Sequence, residues 1–167
     1  MPANLYCIPG PWPGKLAVAA RPRGGDWLQD ELKTWKHTGV HTVVSLLTPE
    51  EEHALDIENE STEARHLGIN FLSLPIPDRQ VPISRTELTA VLERIDIELA
   101  AGKNVLVHCR QGIGRSGLLA ACLLLTKGID AETAVRHVSE SRGVRVPETA
   151  DQQRWIEQFA STFAGTD

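Results

Sequence analysis

The 167-residue sequence predicts an α/β three-layer sandwich, a central and mostly parallel sheet with helices on both faces. Three observations carry that expectation. Strand-like and helix-like stretches alternate up to residue 109, after which helices take over. The run VLV inside 104–108 is apolar without alternation, as in a central strand covered on both sides. Leu88, Leu92, Ile95 and Leu99 recur at helical spacing and mark a helix laid on such a sheet.

Taken in order, residues 1–14 read as an irregular leader, because Pro and Gly interrupt them throughout. Residues 15–20 form a short strand. From Asp26 onward Leu28, Leu32 and Trp35 share a helical face, and Gly39 stops the helix. The β-branched stretch 41–47 is a second strand. Pro49 and three glutamates then open a helical region that runs, with room for a break, to Leu67 and Gly68. Residues 70–76 make another strand. Ser84 and Glu87 read as a capping box for the next helix, which ends at Gly102. After the strand at 104–108, helices are expected at about 115–127, 130–142 and 149–163, the second capped by Asp130. Leu118 to Leu125, Cys122 included, read as core, and Trp27, Trp35 and Trp155 as packing residues. No repeat or linker divides the chain, so one domain over 1–167 is expected.

Hydrophobic residues at 41% and charged residues at 23% are ordinary globular composition. The net charge of −5 offers no broad positive field to nucleic acid or to an anionic membrane, so neither is an expected partner. The most apolar run, 117–126, is too short to span a bilayer. Cys7, Cys109 and Cys122 match no zinc spacing, and nothing at the start reads as a signal peptide. Free thiols, a cytoplasmic setting and no metal or cofactor are expected.

The chemistry concentrates in NVLVHCRQGIGRSG, residues 104–117. Gly112 and Gly114 permit tight turns in which successive N–H groups face inward. The loop lies between a strand end and a helix N-terminus, where free N–H groups and the dipole favour an anion. Arg115 adds a planar fork that grips two oxygens of one anion. A tetrahedral oxyanion fits that cradle, with Arg110, Gln111, Gly112, Ile113, Gly114 and Arg115 as its phosphate-binding residues. Cys109 stands at the floor, where the same groups favour a thiolate aimed at phosphorus. A buried structural cysteine beside a glycine turn is the plainer alternative. The strand, both glycines, Ser116 and the following helix together weigh against it.

A carboxylic acid must still protonate the departing ester oxygen. PIPDRQVP, residues 75–82, offers Asp78 on a proline-stiffened loop after a strand, 31 residues before Cys109. Asp30, Asp56, Asp96 and Asp130 sit in or at the caps of expected helices. Glu50 to Glu52 could bring a carboxylate near the loop, although acidic residues opening a helix need no such role.

HCRQGIGRSG resembles the signature loop of the cysteine-dependent protein tyrosine phosphatase superfamily. The short chain, with that loop about two thirds along, looks like the compact dual-specificity branch, nearest the kinase-associated phosphatases and their bacterial relatives. The resemblance implies a phosphatase acting on phosphorylated protein or peptide; a monomer is expected. It makes Cys109 the nucleophile, Arg115 the clamp, Asp78 the acid and then the base, and Ser116 a hydroxyl donor to the sulfur. His108 would brace the loop. Gln152, with Gln153 beside it, resembles the glutamine that places the hydrolytic water in larger members, whereas the glutamine four positions earlier is Glu148 here.

Phosphotyrosine is the first choice, with phosphoserine and phosphothreonine open. The loop carries no lysine of the kind inositol-lipid phosphatases use, which ranks lipids low. Competing readings are a catalytically silent phosphoprotein-binding module and a rhodanese-like sulfurtransferase.

Overall fold

A computed structural model describes residues 4–164. Five strands form one sheet in the order β1-β2-β5-β3-β4. These are β1 (Leu5–Ile8), β2 (Leu16–Ala20), β3 (Thr42–Ser45), β4 (Asn70–Ser73) and β5 (Val105–Cys109). All neighbours run parallel except β1 on β2. The helices are α1 (Leu28–Thr38), α2 (Pro49–Ala54), α3 (Glu60–His66), α4 (Arg85–Ala100), α5 (Gly114–Thr126), α6 (Ala131–Arg142) and α7 (Ala150–Ala164).

The alternation of side chains along each strand sorts the core into two layers. Ala17, Ala19, Val43 and Leu106 join Leu28, Leu32 and Trp35 of α1 and Ala64 of α3. Leu16, Val18, Val44, Val105, Val107 and Cys109 pack with α4, α5, α6 and α7. Helix α5 is buried nearly all round, from Gly114 to Leu125, because it lies between the sheet and two further helices. Among the described residues no helix is long and apolar enough to cross a membrane.

The structure corrects several expectations. The leader is not irregular: Leu5–Ile8 pairs antiparallel with β2, and Trp12 Nε1 donates to Asp96 Oδ1 at 2.7 Å. Four residues between prolines carry little strand signal of their own, and the pairing is supplied by β2. Residues 1–3 lie outside the described residues. Trp27 does not pack into the core; it is 56% exposed, and Arg23 stacks over its ring at 4.4 Å. The break allowed for in the 49–67 region does occur, between α2 and α3 around Asp56, whose φ is +56°. Ser84 accepts from Glu87 N at 3.2 Å, but the reciprocal capping box forms at Thr48 and Glu51 instead.

Candidate active site

The parallel strands end together at Ala20, Ser45, Ser73 and Cys109, the edge where open α/β sheets place ligands. Residues 110–113 turn back from Cys109 to the start of α5. Gly112 has φ +72°, and a Cβ there would lie 2.5 Å from the backbone carbon of Ala19. The turn therefore closes onto β2 only without a side chain.

Outer partners orient the loop. Arg110 O accepts from Arg21 N at 3.4 Å, while Gln111 O and Gly112 O accept from Arg142 Nη2 and Nε, each at 3.1 Å. Across a trans peptide unit the N–H points opposite to the C=O, so the amides of Gln111, Gly112 and Ile113 turn away from those partners. Arg142 is itself covered by Tyr6, its guanidinium 4.0 Å from the ring centre. Neither Tyr6 nor Arg142 was legible as a site residue, since each acts from another element.

Arg115 is buried in a ring of acceptors. Nη1 donates to Glu51 Oε1 at 2.6 Å and to Ile76 O at 2.7 Å. Nη2 donates to Glu51 Oε2 at 2.9 Å and to Asp78 Oδ1 at 3.0 Å. No partner for Nε is seen among the described residues, so the edge formed by Nε and Nη2 is the one an anion can take. Burial works against the Arg115 charge, but Glu51, Cys109 and Asp78 outweigh it and raise its pKa.

Glu51 is the carboxylate that the acidic run left undecided. At N3 of α2 it completes the capping box with Thr48, and the same geometry aims it at Arg115. The pattern Thr-x-x-Glu over 48–51 was the available signal. Burial pushes its carboxyl up, yet the Arg115 hydrogen bond, the Thr48 N–H and the Arg115 charge together bring it below the ordinary value. A lowered folded-state pKa gives stability present above the unfolded value and lost as pH falls through the folded one. Glu51→Gln, which keeps the cap, should cost about 1–3 kcal/mol at neutral pH. Urea midpoints of the two proteins should converge as pH falls below the ordinary carboxylate range, and a gap independent of pH would refute the assignment.

His108 and Glu60 form a buried pair, Nε2 to Oε2 at 2.6 Å, under Trp35. Glu60 was missed because only the fold brings α3 behind the loop. Nearby, burial first and then the Glu60 charge raise the pKa of Glu52. Ser116 Oγ is buried and has no hydrogen-bond partner among the described residues, so no bond to the Cys109 sulfur is present. The Gln152 amide is wholly buried: Oε1 accepts from Glu148 N and Thr149 N, and Nε2 donates to Gln80 O. Burial pushes the Cys122 thiol far up, as suits a core residue.

Cys109, Arg110, Gln111, Gly114, Arg115, Asp78 and Glu148 line one narrow cleft of about 40 Å³. Larger grooves flank α7, of about 380 and 470 Å³, but neither contains a cysteine. Among the described residues no cluster of His, Cys, Asp and Glu is placed to hold a metal ion.

Residues 17–129 match the Tc-R-P family model, described as a polymorphic toxin system DSP-PTPase phosphatase. The chain belongs to the DSP-PTPase family. The chain is 27% identical over 139 residues to the cyclin-dependent kinase inhibitor 3 of Sus scrofa, covering 82% of the chain and 65% of that relative's length. It is 27% identical over 143 residues to the protein tyrosine phosphatase PRL-1 of Leishmania major, covering 80% and 75%.

Among solved structures, a kinase associated phosphatase with serine substituted for its catalytic-site cysteine superimposes with a TM-score of 0.88 at 22% identity, over 100% of this chain and 99% of that one. Tk-PTP in its active form gives 0.80 at 26%, over 96% and 99%. The compact dual-specificity branch and the sandwich fold read from the sequence both hold.

Proposed function

We infer that this protein hydrolyses phosphate monoesters on proteins, phosphotyrosine first, through a phosphocysteine on Cys109. The observation that carries the reading is one cleft holding a thiol, a buried guanidinium and, against that guanidinium, a carboxylate on a separate loop. The groups needed come from a single copy of the chain.

The loop amides and the Nε/Nη2 edge of Arg115 take the phosphoryl oxygens, displacing Asp78 from Nη2. The Cys109 sulfur attacks phosphorus in line, an S–P bond forms and the ester P–O bond breaks. Asp78 delivers its proton to the leaving oxygen. A water then attacks the phosphocysteine, Asp78 takes its proton, and the S–P bond breaks to release phosphate and restore the thiolate. No electron changes hands. An aryl oxygen departs more readily than an alkyl one, which favours phosphotyrosine.

Ser116 Oγ, an unpaired hydroxyl beside Arg115, supplies a hydrogen bond to the sulfur as it leaves phosphorus. The His108–Glu60 pair braces the strand end. Rapid quench with a ³²P-labelled phosphotyrosine peptide should trap label on Cys109 in the wild-type protein and none in Cys109→Ser. Label carried by a residue other than Cys109, or turnover by Cys109→Ser at the wild-type rate, would exclude the phosphocysteine route.

A further inference from the structure

The acid loop, residues 77–83, is tied down by contacts that the reaction steps do not use. Arg79 has φ +63°, a left-handed conformation unfavourable for a residue with a side chain. Within the loop the turn is closed by Gln80 N donating to Pro77 O at 3.0 Å. The other ties come from the chain 69 and 72 residues on. Arg79 Nη1 donates to Glu148 Oε1 at 2.8 Å. At the next residue, Gln80 O accepts from Gln152 Nε2 at 3.0 Å.

The far side of this contact is itself anchored. Gln152 Oε1 accepts from the N–H groups of Glu148 and Thr149, each at 3.1 Å, so one buried amide joins that backbone to the acid loop. The second oxygen of Glu148 sits against the signature loop, 2.9 Å from where a Cβ on Gly114 would be. Residues 148–152 thus rest on the phosphate cradle with one side and hold two consecutive acid-loop residues with the other.

We propose that the 148–152 segment is a catch for the acid loop, with Glu148 and Arg79 as positioning residues that set how Asp78 meets the leaving oxygen. The inference rests on the phosphatase reading above and adds to it. Arg79 is more than half exposed in this pair, so the bias it gives the loop is modest, about fivefold. In the steps that kcat/KM reports, up to departure of the leaving group, Asp78 acts on the leaving oxygen. Loosening the catch therefore harms esters in proportion to the basicity of the oxygen they expel.

The test compares wild type, Arg79→Met, Glu148→Gln and the double variant on p-nitrophenyl phosphate and on phenyl phosphate, whose leaving oxygen is more basic. Each single variant should lose about fivefold in kcat/KM on phenyl phosphate relative to p-nitrophenyl phosphate, and the double variant no more than either single. General damage to the fold would slow both esters alike and leave their ratio unchanged. An unchanged ratio in active variants, or additive losses in the double variant, overturns the catch while the phosphatase reading stands. Failure of the wild-type protein to turn over either ester overturns the phosphatase reading, and the catch with it.

Discussion

Cys109→Ser should lower hydrolysis of p-nitrophenyl phosphate by at least about 10⁴-fold while leaving the oxyanion site intact. Sulfur and oxygen differ here in nucleophilicity more than in shape. A sulfur nucleophile attacks phosphorus far more readily than a serine hydroxyl does. Cys109 ends β5 against the core, so a slightly smaller side chain there disturbs little packing. Arg115, Glu51 and the loop carbonyls bound by Arg142 keep their partners in the variant. Tungstate binding measured by calorimetry should therefore persist where turnover has vanished. A variant retaining a tenth of the wild-type rate would remove Cys109 from the reaction.

Asp78→Asn should change rate and binding in opposite directions. Loss of a positioned proton donor costs about 10²–10⁴-fold in turnover, least for the ester with the least basic leaving oxygen. Binding should not suffer. Asp78 Oδ1 lies 3.0 Å from Arg115 Nη2, the nitrogen an incoming phosphoryl group also needs. Asparagine removes that competing charge, so vanadate should bind the variant at least as tightly as wild type. Weaker vanadate binding would mean that Asp78 helps build the anion site instead of yielding it.

Much of this arrangement can be read along the chain, because it depends on short-range spacing. The strand before Cys109, the glycines after it and the arginine six residues on lie within one turn of chain, and the turn and helix follow from local chemistry. Asp78 was legible because a loop after a strand places it at the same sheet edge as Cys109. What the sequence does not display is how elements are aimed at one another. The four-residue β1 exists because β2 offers it a partner. Glu51 is distinguished from its two acidic neighbours only by the capping geometry that turns it inward. Glu60 lies 48 residues from His108, and Arg142 lies 30 residues from Gly112, so neither pairing leaves a periodic trace.

The Tyr6–Arg142 stack gives the edge of the sheet a stake in the chemistry. Arg142 holds the carbonyls of Gln111 and Gly112 turned outward, and the ring of Tyr6 roofs the guanidinium that does so. Anything that peels the first strand from the second should let those dipoles swing, and the oxygens of a docking phosphoryl group would then face carbonyls in place of amides.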